Sequence, residues 1–302
     1  MSTSTPPAGR LVTAMVTPFT DDNVLDFAAA EKLAAQLVAD GCDGLCISGT
    51  TGEAPTTSDQ EKIDLLTCVR AVVGDTIKLL AGIGGNETAH VIKSAHDAQR
   101  AGADAVLAVT PYYNKPPQSG VIAHFEALAD ATDLPVVLYD IPGRSAIAIT
   151  TDSLLRLAEH DRIVAVKDAK GDIFASTDVM RRTDLMYYCG DDADNLSFLA
   201  HGAVGMISVV AHGFASDYRA LIAAMDIGDL PKAREIHNRL IPAVAAIMSP
   251  QSQGAIRAKA VAHARGLIAT THMRLPLLAE TPEQTAQWMS IVEACGLNGI
   301  TA

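Results

Sequence analysis

Lys167 closes an apolar run, Ile163-Val164-Ala165-Val166, so its ammonium should lie where a packed interior meets an open mouth. Desolvation at such a boundary disfavours the charged ammonium, and the neutral amine is the form that attacks a carbonyl. A lysine there could equally reach solvent or pair with Asp168. Lys170 is a rival amine, set beside Gly171 in a loop that should leave it better solvated. Tyr139 ends the preceding apolar run and should stand at the same depth on the next strand. Its phenol could shuttle the protons that carbinolamine formation and dehydration require, or it could serve as an aromatic plug. Thr50 and Thr51, between Gly49 and Gly52, offer hydroxyls and exposed backbone N–H groups suited to a small carboxylate, unless they only shape the turn. Arg144, after Pro142-Gly143, could clamp a carboxylate bidentately, or pair with an aspartate at the surface.

These residues matter together only if one architecture gathers them. Short β-branched runs at 11–17, 44–48, 77–82, 105–110, 135–139, 163–167, 186–189 and 205–209 read as strands. Amphipathic stretches at 27–39, 59–73, 88–101, 121–131, 151–159 and 173–182 read as the helices between them. Eight such units with near-continuous apolar strands predict a parallel sheet buried on both faces. With no complete dinucleotide or phosphate-loop glycine pattern (Gly82, Gly84 and Gly85 supply only part of one), a closed (β/α)₈ TIM barrel is favoured over an open sheet. From Asp229 onward the strand signal stops, and 230–248, 254–267 and 281–295 read as helices. The expected organisation is a catalytic barrel over 1–230 with a C-terminal helical region over 231–302. In such a barrel, polar residues just past the strand C-termini face the active-site mouth, which is where Thr50, Thr51, Tyr139, Arg144 and Lys167 fall.

The composition narrows the function. Apolar residues make up 49% and charged residues 19%, as expected of a globular chain with a filled core. The formal charge of −12 and the lack of a basic stripe argue against nucleic acid. No apolar stretch approaches the ~20 residues of a membrane span. The start, MSTSTPPAGR, has no export signal, so a cytoplasmic protein is expected. The five scattered cysteines and nine histidines include no zinc or other metal spacing.

The strand-end motifs resemble those of the dihydrodipicolinate synthase family, the pyruvate-dependent class I aldolases that include N-acetylneuraminate lyase. The likeness runs through Gly49-Thr50-Thr51-Gly52-Glu53, Thr110-Pro111-Tyr112-Tyr113-Asn114-Lys115-Pro116, Tyr139-Asp140-Ile141-Pro142-Gly143-Arg144-Ser145, Val166-Lys167-Asp168 and Gly190-Asp191-Asp192. It extends from Ala14-Met15-Val16-Thr17-Pro18-Phe19 to Arg274-Leu275-Pro276 and Leu297.

The resemblance implies a lyase in which Lys167 forms an imine with pyruvate and Tyr139 moves its protons. It implies that Thr50 links Tyr139 to Tyr113, with Tyr113 reaching in from a neighbouring subunit of a homotetramer built from tight dimers. Thr51 would bind the carboxylate of pyruvate and Arg144 that of aspartate semialdehyde, while the backbone around Gly190 and Ile207 lines the pocket. No metal or organic cofactor is implied, because the lysine is itself the electron sink. Sialic-acid lyases usually carry Ser where Thr50 stands and lack the Pro-Gly-Arg-Ser continuation. Three departures stand out: Ile83 for the usual Thr, Cys189 for the usual Ser, and Thr271-His272-Met273 for Asp-Pro. They keep open an alternative aldehyde, as in cleavage or formation of a 2-keto-3-deoxy sugar acid or N-acetylneuraminate. Some relatives have a lysine-feedback site, whose matching positions here are Asp59, Lys62 and His90. A cationic Lys62 predicts little inhibition by lysine.

Overall fold

The protein is described here by a computed structural model covering residues 5–297. Eight strands, β1 (Leu11–Ala14), β2 (Gly44–Ile47), β3 (Lys78–Gly82), β4 (Ala105–Val109), β5 (Val136–Asp140), β6 (Ile163–Asp168), β7 (Met186–Cys189) and β8 (Gly205–Ser208), pair in parallel in chain order. β8 returns to β1, pairing Ile207 with Val12, so the sheet closes into the predicted barrel.

Helices α1 (Phe27–Ala39), α2 (Asp59–Val73), α3 (Thr88–Arg100), α4 (Gln118–Ala131), the short α5 (Pro142–Ser145), α6 (Thr151–Leu157), α7 (Ile173–Arg182), α8 (Asn195–Ala200) and α9 (Ala211–Asp226) cover the barrel. Their starts follow from local chemistry. Asp26 and Asp172 accept backbone N–H bonds at the caps of α1 and α7, and Ser58 with Glu61 forms a capping box at α2. The chain then forms α10 (Leu230–Ile247), α11 (Gly254–Ala264) and α12 (Pro282–Ala294). α10 packs on α9, and α12 packs on α10. Their buried faces join the same apolar cluster that lies between the strands and the outer helices.

A second, inner cluster fills the barrel itself, with Val12, Leu80, Val137, Ala165, Tyr188 and Ile207 among its members. Strand alternation requires that every second residue point inward. Tyr139, two residues beyond Val137, and Lys167, two beyond Ala165, therefore share that inward face. The lower end of the barrel is closed by the segment before β1. There the Tyr188 hydroxyl donates to Gly9 O at 2.9 Å, and Ala8 O lies where a Cβ on Gly44 would sit, 1.9 Å away.

Two expectations need correction. β1 ends at Ala14, not at residue 17. The next residues stay buried, but their bonds leave the ladder: Val16 N–H donates to His212 Nε2 at 3.1 Å and the Thr17 hydroxyl to Gly52 O at 2.7 Å. The sequence reading also picked out no helix between 209 and 229, where α9 lies. Its first turns are apolar on nearly every side, and non-helical backbone at Phe214 breaks the period.

Candidate active site

The register sets the site. Tyr139 pairs with Lys167 and Lys167 with Tyr188, so the lysine stands in register between two aromatic residues. Lys167 is 5% exposed, and its Nζ stands 4.1 Å from the centroid of the Tyr139 ring. Among the described residues, no carboxylate lies within ion-pair distance of this ammonium. Asp168, the neighbour that could have claimed it, is engaged elsewhere. Asp168 Oδ1 accepts from the N–H groups of Lys170 (2.8 Å) and Gly171 (3.3 Å), and Oδ2 from the Ser176 hydroxyl at 2.5 Å.

Gly190 shapes the space beside the lysine. A Cβ there would fall 3.0 Å from Lys167 Cγ and 2.9 Å from Asp168 O, so only glycine lets β7 end this close to the amine. Ile207 is 1% exposed within the inner cluster. Cys46 shares that cluster, and burial pushes its thiol up to about 11 against the pull of Lys167. It is no competing nucleophile, since the thiolate is the reactive form.

Above this level the barrel opens into a cleft of about 670 Å³. Thr50, Tyr139 and Arg144 all line it, together with the glycines after β3. Thr51 is buried within the β2–α2 turn. Arg144 is exposed on α5 and lines the cleft. Tyr113 is not brought into this mouth. It is 88% exposed at a left-handed φ of 72°, while its neighbour Tyr112 lines the cleft.

Two buried ion pairs escaped sequence reasoning. Glu53, directly after Thr50-Thr51-Gly52, meets Lys259 of α11 at 2.5 Å with both side chains fully buried. Glu53 also accepts the Arg274 N–H at 3.0 Å, and Lys259 donates to His272 O at 2.7 Å. The C-terminal helices thus grip the turn that carries the two threonines. The Glu in a Gly-Thr-Thr-Gly-Glu turn was visible, but nothing marked its partner. The second pair corrects an expectation. Lys170 is not well solvated; its ammonium lies 3.3 Å from Oδ2 of Asp140, with only 16% of the lysine side chain exposed. Burial raises the Asp140 carboxyl to about 6, with Lys170 pulling the other way.

Among the described residues, no group of three His, Cys, Asp or Glu side chains could hold a metal ion. No helix there is long and apolar enough to cross a membrane. The arrangement is a buried amine, a tyrosine ring against it that also lines the open cleft, and an exposed arginine on the cleft wall. It suits imine chemistry on a small keto acid.

The chain is similar to known proteins along nearly its whole length. The model of the dihydrodipicolinate synthetase family matches residues 7–295. A 4-hydroxy-tetrahydrodipicolinate synthase of Kineococcus radiotolerans is 52% identical over 291 residues, covering 96% of this chain and 94% of that one. The crystal structure of the Cyanidioschyzon merolae dihydrodipicolinate synthase with lysine bound superposes with a TM-score of 0.92 at 37% identity, covering 96% of this chain and 99% of the other. The chloride-inhibited Acinetobacter baumannii dihydrodipicolinate synthase complexed with pyruvate superposes with a TM-score of 0.90 at 32% identity, covering 95% and 99%.

Proposed function

We propose a function from one premise: this chain belongs to the dihydrodipicolinate synthetase family. It is a lyase of the class I aldolase type, a 4-hydroxy-tetrahydrodipicolinate synthase that condenses pyruvate with L-aspartate 4-semialdehyde in lysine and diaminopimelate biosynthesis. The roles assigned to its residues are our reading. The observation that carries them is Lys167, buried, unpaired by any carboxylate among the described residues and in contact with the ring of Tyr139.

In this reading the Lys167 amine adds to the keto carbon of pyruvate. Tyr139 protonates the departing oxygen, and water leaves to give the imine. Loss of a proton from the methyl group gives an enamine, whose carbon attacks the aldehyde of the second substrate. The amine of that substrate then attacks the imine carbon, releases Lys167 and closes the ring. One water is lost overall, and the lysine returns unchanged. Thr51 and its backbone hold the carboxylate of pyruvate, and Gly190 and Ile207 bound the space beside it. Arg144 holds the carboxylate of the aldehyde through a two-pronged bond that Lys could not copy.

Thr50 passes protons between Tyr139 and Tyr113. Tyr113 serves a neighbouring subunit, which its exposure supports. We assign a homotetramer of tight dimers, in the cytoplasm, with a catalytic barrel over 1–230 and a supporting helical region over 231–302, of which residues 1–4 and 298–302 lie outside the described residues.

Steady-state turnover of pyruvate with L-aspartate 4-semialdehyde tests the reaction. The expected result is saturable turnover with this aldehyde and little with N-acetylmannosamine or a sugar aldehyde. The reverse preference would move the chain to the sialic-acid or keto-sugar branch.

A further inference from the structure

Asp140 and Asp168 end neighbouring strands and are paired in register, one position beyond Tyr139 and Lys167. Alternation turns both carboxylates away from the barrel interior, toward the loops. Asp140 is fully buried, and its Oδ1 accepts the Ile149 N–H at 3.2 Å. Arg144 lies on the excursion between those two residues, so the bond closes the base of the loop that carries it. The Ser145 hydroxyl pins the middle of the excursion through Ile141 O (3.0 Å) and Ile147 O (2.7 Å). The other carboxylate oxygen, Oδ2, has no well-angled hydrogen bond and instead faces the Lys170 ammonium at 3.3 Å. Lys170 is fixed in turn by Asp168, which holds its backbone N–H.

We propose that the Asp140–Lys170 pair is a positioning device, locking the Arg144 excursion to the strand of Lys167 and so governing capture of the aldehyde rather than formation of the imine. The inference rests on the roles given above to Lys167 and Arg144. Lys167 is braced by the barrel ladder and by Gly190, independently of the excursion. Arg144 depends on the anchor. Removing one partner leaves the other charge buried without compensation, and the loop moves to hydrate it. A displacement of about an ångström at a positioning residue is enough to lose much of its effect. The same pair keeps the Lys170 amine occupied, which leaves Lys167 as the nucleophile.

The test compares the wild type with Asp140→Asn, Lys170→Met and the double variant. Two quantities are measured for each: the fraction of chain labelled at Lys167 by pyruvate and borohydride, and KM for the aldehyde. All three variants should trap pyruvate as the wild type does. Each single variant should raise the aldehyde KM roughly tenfold. The double variant should be no worse than the worse single one, because the pair acts as a unit. Three results would overturn the inference: single-variant KM values within about twofold of wild type, effects that multiply in the double variant, or trapping that is lost in step with KM. If Asp140→Asn does not fold, the double variant, which leaves no buried charge unpaired, and Lys170→Met decide between them. A wild type that traps no pyruvate would sink the reading of Lys167 itself, whereas normal trapping with unchanged variants would sink only the pair.

Discussion

A lysine at the top of a parallel strand usually finds either a carboxylate or water, and Lys167 finds the face of a tyrosine ring. In the proposed mechanism that tyrosine is the proton carrier for carbinolamine formation, while Asp168 is kept busy with the following loop. Two variants separate the roles. Lys167→Ala should abolish pyruvate trapping and lower kcat/KM by at least roughly a thousandfold, the scale expected for loss of a covalent nucleophile. Tyr139→Phe should keep the lysine and the ring but slow the proton steps, lowering kcat by roughly 100- to 10,000-fold. Near-normal kcat in Tyr139→Phe would place the proton carrier elsewhere. Both residues were legible in the sequence because each ends an apolar run of unmistakable length. Asp140–Lys170 was not, because a charged residue one position further along reads equally well as a solvated loop.

At the scale of elements, two junctions carry predictions. His212, at the start of α9, joins β8 to the end of β1: Nε2 accepts the Val16 N–H, and Nδ1 bonds Val209 O at 2.8 Å. Burial is the main cause that pushes its imidazole down to about 4. The unfolded chain therefore takes up a proton near pH 6.5 that the folded chain refuses until near pH 4. Stability due to His212 is complete above the first value and falls as pH drops through the window, by about 3 kcal/mol in all. Denaturant unfolding at stepped pH should show this slope in the wild type and lose it in His212→Gln; an unchanged slope would contradict it.

The second junction is between α2 and α3, where Asp59 is shared by His90 (3.2 Å) and Lys93 (2.9 Å). The Lys93 contact is the main reason its carboxyl lies below the usual range. Burial pushes the Lys62 ammonium down, yet it still lines the same cleft. A cationic effector finds the carboxylate already paired and a second amine beside it. Inhibition by lysine should accordingly be weak in steady-state assays, and an inhibition constant in the micromolar range would overturn this.

For the whole molecule, the barrel was readable because eight apolar runs of strand length each stand between turn residues and a helix. The strand bounds followed to within a residue or two, except at β1. There a buried stretch trades ladder bonds for bonds to His212 and Gly52, and burial alone cannot reveal such an exchange. Equally hidden was the grip of the C-terminal helices on the threonine turn, since Glu53 and Lys259 are 206 residues apart. Helical periodicity carries no information about which residue a distant lysine will meet. Assembly has its own test. If Tyr113 completes the site of a neighbour, mixing Tyr113→Phe with Lys167→Ala should give activity above the mean of the two pure variants, because some mixed sites regain both groups. Activity equal to that mean would confine each site to one chain.

The chemistry proposed throughout depends on a single covalent bond, and reductive trapping reads that bond directly. The chain would be treated with pyruvate and borohydride, digested and mapped by peptide mass. The expected result is one pyruvate-derived adduct per chain, on the peptide that contains Lys167, blocked by prior loss of that side chain. An adduct on Lys170, or none on any lysine, would contradict it.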